Sequence, residues 1–157
     1  MSARSGIAKA MAELIASELD GTQPDKYVNN IYGQTSNKVT HFDNIYSFPY
    51  ITTTPGPETR ENLPSHFTWA ELTLYIRIYV ENEEDAQGEL ESLITDLENI
   101  VDTHLNLSYN VTTSTGSVSR TTTDNNILTI TTDEGLLDPN ALGEIVLGVR
   151  YEKQRKN

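Results

Sequence analysis

The sequence predicts an α+β domain: a mostly antiparallel sheet with a long central strand and two helices packed on one face. Three observations carry this. Twelve residues from Trp69 to Val80 alternate without a break between apolar and polar. Two separate segments repeat apolar residues at three- and four-residue spacing. The order is helix, two or three strands, helix, two strands, which groups like with like rather than interleaving strands and helices.

The first helix is predicted from Ile7, Met11, Leu14, Ile15 and Leu19, which share one face. Ser5 is the expected N-cap, and Gly21 followed by Pro24 should end the run. A single apolar stripe places this helix on a surface. From Tyr27 to Ile45 the pattern is weak and suggests loop, or a short strand at Val39 to Phe42. A strand follows from Ile45 to Thr53, with Pro49 marking an edge or a bulge. Residues 54–66 read as an irregular arm, because prolines at 55, 57 and 64 and Gly56 oppose regular structure.

In the Trp69–Val80 strand, Ala70, Leu72, Leu74, Ile76, Ile78 and Val80 form the core face. Trp69, Glu71, Thr73, Tyr75, Arg77 and Tyr79 form the other, an aromatic and charged face suited to water or to an interface. At about 3.3 Å per residue this strand spans roughly 40 Å. Asn82 is the expected N-cap of a second helix, with Glu83, Glu84 and Asp85 at its positive end. Leu90, Leu93, Ile94, Leu97, Ile100 and Val101 are its apolar stripe. Glu84, Glu91, Glu98 and Asp102 fall opposite, at spacings that slightly oppose helix stability. Thr112 to Thr123 reads as a hairpin tip or exposed strands, Ile127 to Thr132 as a short strand, and Asp133 to Pro139 as turns. Glu144 to Tyr151 is the last strand.

With 157 residues the chain has the length of one domain able to bury a full core without staples. It has no cysteine, so disulfides and thiolate metal sites are excluded; a reducing compartment fits. No stretch approaches the ~20 apolar residues of a membrane helix. Residues 1–6 have no apolar run behind them and do not read as a signal peptide.

The formal charge is −12, unevenly spread. Nine acids and no Lys or Arg lie between Glu81 and Asp102, whereas four bases and one acid lie from Arg150 to Asn157. Such a chain should not cling to DNA, because phosphate binding depends on Lys and Arg releasing counterions. Solubility alone explains the acidity; so does a surface past which DNA slides without sticking.

Catalytic patterns are missing. His41, His66 and His104 are too far apart in sequence for a helical zinc pair. No phosphate-cradling glycine loop or nucleophile elbow occurs. No catalytic residue, cofactor or metal is expected, although Asp133, Glu134 and Asp138 keep a small metal-dependent enzyme open as an alternative.

The segments Phe48-Pro49-Tyr50-Ile51, Pro55-Gly56-Pro57-Glu58 and Leu63-Pro64 precede the long strand. Leu90-Glu91-Ser92-Leu93, Asp96-Leu97-Glu98, Asp133 to Pro139, Gly143-Glu144-Ile145 and Val149-Arg150-Tyr151 follow it. In this order and spacing, from about Met11 to Tyr151, the chain resembles the tail terminator (tail completion) proteins of long-tailed bacteriophages. The resemblance implies an α+β fold and a structural virion protein, not an enzyme. It implies a hexameric ring at the tail-neck junction that caps the tail tube, stops its growth and joins it to the head. The partners it implies are further copies of the chain, the tail tube protein, a neck or head-completion protein and, in a contractile tail, the sheath protein. DNA would pass through unbound, no membrane would be involved, and assembly would occur in the host cytoplasm. The basic end, Lys153-Gln154-Arg155-Lys156, is not a family feature.

Candidate subunit or tube contacts are Pro55, Gly56, Pro57, Glu58, Arg60 and Glu61 of the arm, Tyr75, Arg77 and Tyr79 of the strand, and the C-terminal bases Arg150, Lys153, Arg155 and Lys156 at residues 150–157. Candidates for the wall of the channel are Glu71, or Glu84, Glu91, Glu98 and Asp102. Other functions compatible with the same residues are another neck, stopper or adaptor protein, and a soluble binding module unconnected with phages.

Overall fold

The computed structural model describes residues 2–154. The bases Arg155 and Lys156 lie outside the described residues. Helix α1 runs from Ala3–Glu18 and is capped by Ser2, whose hydroxyl accepts from the Ser5 N–H at 3.2 Å. The helix therefore starts a turn before the expected cap. Ser5 lies inside it as the donor of the capping bond, because an Ncap oxygen bonds the N–H three residues on.

Strand β1, Thr35–Ser36, pairs in parallel with β2, Tyr50–Asn62. The strand expected at Val39 to Phe42 does not form. Phe42–Asn44 is a 3-10 turn, and the Phe42 ring meets the Tyr79 ring edge-on at 5.8 Å. The half-buried Phe42 thus packs on a side chain of the sheet instead of extending the sheet by a strand. The strand expected from Ile45 starts only at Tyr50, and the irregular arm expected next is itself strand as far as Asn62. Proline is tolerated on an edge because its missing N–H would have faced away from the sheet. Past Thr52 only β3 pairs with β2, and a register shift between Pro55 and Glu58 absorbs the proline geometry as a bulge.

Strand β3, Phe67–Glu81, is third in the sheet order β1-β2-β3-β7-β6. Helix α2, Ala86–Thr103, is capped by Asp85, which accepts from Gly88 N–H at 2.9 Å. Asn82, the expected cap, instead closes the preceding turn by accepting from the Glu84 and Asp85 N–H groups. Strands β4, Ser108–Thr113, and β5, Gly116–Thr121, form a separate two-stranded hairpin. Strands β6, Asp124–Thr132, and β7, Asn140–Gln154, complete the main sheet and are antiparallel, as are β2–β3 and β3–β7.

One core holds the fold. Ala70, Leu72, Leu74, Ile76, Ile78 and Val80 of β3 are fully buried with Ile145, Leu147 and Val149 of β7. Ile7, Met11 and Ile15 of α1 and Leu90, Leu93, Leu97 and Ile100 of α2 belong to the same cluster, so both helices cover one face of the sheet. Asp96 is buried among these apolar residues of α2, at 3 % exposure. Its carboxylate accepts from the backbone N–H of Val28 at 3.1 Å and of Asn29 at 2.9 Å, and from the Asn29 side-chain amide at 2.9 Å. It thereby ties the connection after α1 to α2.

Gly6 carries the close approach of α1 to β4: a Cβ there would collide with the main-chain carbonyl of Asn110. Helix propensity favours alanine over glycine by about 1 kcal/mol. A backbone carbonyl cannot swing aside, so the clash should outweigh that gain. Gly6→Ala is expected to lower the midpoint of thermal unfolding followed by circular dichroism, against the direction propensity gives.

Candidate assembly surfaces

The sheet face turned away from the helices is built by period-2 alternation on paired strands. Arg77 on β3 lies opposite Glu144 on β7, and their side chains pair with Nε–Oε2 at 2.9 Å. Both are about one-third exposed, so the pair is worth at most ~1 kcal/mol. The Arg77 guanidinium also lies 5.0 Å from the centre of the Tyr75 ring, and that of Arg150 lies 4.6 Å from Trp69. Glu71 is opposite Arg150 in register, and Asp124 of β6 is opposite Arg150 from the other side. This face therefore mixes signs.

Several predicted contact residues are engaged within the chain. Tyr79 is buried under Phe42. The Tyr75 ring occupies the space a side chain at Gly56 would need, which explains glycine there. The Gly56 carbonyl accepts from Arg4 of α1 at 2.6 Å. Glu58 points toward the helices, and its side chain is 6 % exposed. It accepts a short hydrogen bond from the Tyr151 hydroxyl and pairs with Arg60 Nε at 2.9 Å. Arg60 and Glu61 are exposed, and Pro55 and Pro57 lie along the free side of β2. Arg150 is exposed and Lys153 half-buried at the far end of β7.

Burial pushes the Glu58 carboxyl up, but the hydrogen bonds from Tyr151 and Arg60 and the charges of Arg60 and Arg4 outweigh it, leaving its pKa below the usual 4.5. Burial and Glu58 together push the Tyr151 phenol up. A carboxyl whose pKa is lowered on folding stabilises the fold above its ordinary value, and that stability is lost as pH falls through the folded value. Thermal melts of the parent should therefore weaken between about pH 5 and pH 3. Those of Glu58→Gln should weaken less over the same range, from a lower starting point.

The acids proposed for a channel wall fall in two places. Glu71 is exposed on the mixed sheet face. Glu84, Glu91 and Asp102 are exposed and Glu98 half-buried on or beside α2, on the opposite side of the molecule. No Lys or Arg lies within that run to offset them.

The histidines do not converge. His41 lines a groove with Phe42, Tyr79 and Leu137, and His66 sits in the β2–β3 turn. His104 ends α2, 3.6 Å from Glu18. Asp133 uses both oxygens, on Gln87, Leu142 N–H and Leu137 N–H. Among the described residues no three metal-capable side chains gather. Two features were missed in the sequence. Asp96 was legible as an acid on the apolar stripe between Leu93 and Leu97. The Glu58–Tyr151 bond joins residues 93 apart and left no local signal.

Residues 1–157, the whole chain, match the family described as Bacteriophage Tail Tube Terminator Protein. The chain belongs to that family. It is 41 % identical over 158 residues to the tail tube terminator protein p142 of Escherichia phage T5, covering 100 % of this chain and 98 % of that one. A solved chain from the virion of a native gene transfer agent particle superposes with a TM-score of 0.56, covering 94 % of this terminator and 98 % of that chain. At 11 % identity this likeness shows the fold alone. As a phage tail terminator the chain is a virion structural protein, and this kinship argues against an enzyme.

Proposed function

We propose that this terminator forms a hexameric ring at the tail-neck junction, ends the growth of the tail tube and presents its other side to the neck. The whole-length kinship with the T5 tail tube terminator carries this reading. The chemistry of the surface supports it. DNA leaving the head must pass such a ring, and a wall bearing Lys or Arg would hold it within the Debye length of about 8 Å. Of the two acidic groups, the α2 side fits the wall, because Glu84, Glu91, Glu98 and Asp102 have no base among them in sequence. Glu71 faces Arg150 in register and belongs to the mixed face, where it suits contacts with other proteins.

The ring's partners are its own copies, the tube protein and a neck or head-completion protein, with the sheath protein added if the tail contracts. Pro57, Arg60, Glu61 and Arg150 are exposed material for those contacts, with Pro55 and Lys153 half-buried beside them. The test is electron microscopy of tails made without this chain. Tubes of uncontrolled length, shortened to one length when the purified protein is supplied during assembly, are expected. Tubes of normal length that merely fail to join heads would instead mark a stopper or other neck protein.

A further inference from the structure

We propose that the ring is closed by strand addition, with β6 of one copy pairing along its free edge with β5 of the next; this rests on the ring reading above. Strand edges in native proteins are normally blunted by charge, proline or a cover. The β2 side of the sheet is treated that way. It has β1 beside Ile51 and Thr52, prolines at 55 and 57, and Arg4 on the Gly56 carbonyl. The β6 side is not. β6 is the last strand of the sheet, and its nine residues hold no proline, no base and a single acid, Asp124 at its start. The bulge between Ile127 and Thr129 adds twist but presents Leu128, which is 55 % exposed. Ile130 is 37 % exposed although its partner Ile145 is fully buried, so the core is left half-covered along this edge.

The occupant is argued from the same chain. Among the described residues β5 pairs only with β4, and all six of its residues are exposed, including Val118 at 41 %. The charges are complementary. From Thr103 to Thr123 there is no acid and one base, Arg120, whereas from Thr121 to Val149 there are five acids and no base. Because β5 and β6 are different strands, each copy offers one edge to either neighbour. That is the heterologous contact a closed ring needs; β6 against β6 would stop at a dimer. Main-chain hydrogen bonds would supply affinity, and Val118 against either Leu128 or Ile130, which lie on opposite faces of β6, the apolar seal.

The absence of cysteine permits a direct test. Four double variants combine Val118→Cys or Ser119→Cys with Leu128→Cys or Ile130→Cys, all at exposed positions. Each is assembled on tail tubes and oxidised. Covalent ladders extending through the whole ring, from at least one double variant and from no single variant, are expected. Covalent dimers from Ile130→Cys or Leu128→Cys alone would overturn the proposal in favour of a β6–β6 contact. Intact rings by electron microscopy with no ladder from any of the four would overturn it too, while leaving the ring itself standing. Absence of any ring from the unaltered chain on tubes would remove the reading on which both depend.

Discussion

Asp96→Ala is expected to destabilise the fold by about 3 kcal/mol, because three donors lose one shared acceptor in a part-buried site. The Val28 and Asn29 N–H groups have no strand or helix partner to take over, and the shortened side chain leaves a hole beside Leu93 and Leu97. The conservative Asp96→Asn keeps one acceptor oxygen, so it should lose less than half as much. Urea unfolding followed by far-ultraviolet circular dichroism measures both. An alanine variant as stable as the parent would mean that water already satisfies the 27–30 segment. A loss in Asp96→Asn as large as in Asp96→Ala would mean that charge rather than geometry does the holding. The half-buried pair Arg77–Glu144 gives the internal comparison, since its removal should cost at most ~1 kcal/mol.

Glu91→Lys combined with Glu98→Lys is expected to leave heads filled and tails joined but to slow release of DNA by roughly tenfold or more at low salt. Two new bases per subunit, repeated around a ring, offer passing phosphate many contacts at once. The affinity of such contacts falls linearly on a log-log scale as salt is raised, so the delay should vanish at high ionic strength. Glu71→Lys is the control: it sits on the opposite side from α2 and should not change release. Timed release of packaged DNA, read by dye fluorescence at two salt concentrations, distinguishes these outcomes. A delay confined to Glu71→Lys would place the sheet face, not α2, at the channel.

The sequence by itself determined the elements whose periodicity is imposed by a single large contact. β3 was legible because every second residue from Ala70 to Val80 meets the core, and α2 because six apolar residues meet the sheet. It also determined the absence of a catalytic or metal-binding pattern, since those need particular residue types at particular spacings. Its charge asymmetry carries over into the fold in large part, because most acids of the 81–102 run sit exposed, Asp96 being the buried exception. Residues 54–62 show the other case. Local rules forbid a strand through Pro55-Gly56-Pro57, but β3 supplies a paired side, the open edge excuses the missing N–H groups, and a bulge takes up the strain. Only the tertiary structure decided that Tyr79 would be spent on Phe42, that Glu58 would turn inward to Tyr151, and that α2 and Glu71 would lie on opposite sides of the molecule. Which strand edges stay open is decided there as well. An edge is defined by what does not pair with it, and no residue records the strand that is missing beside it.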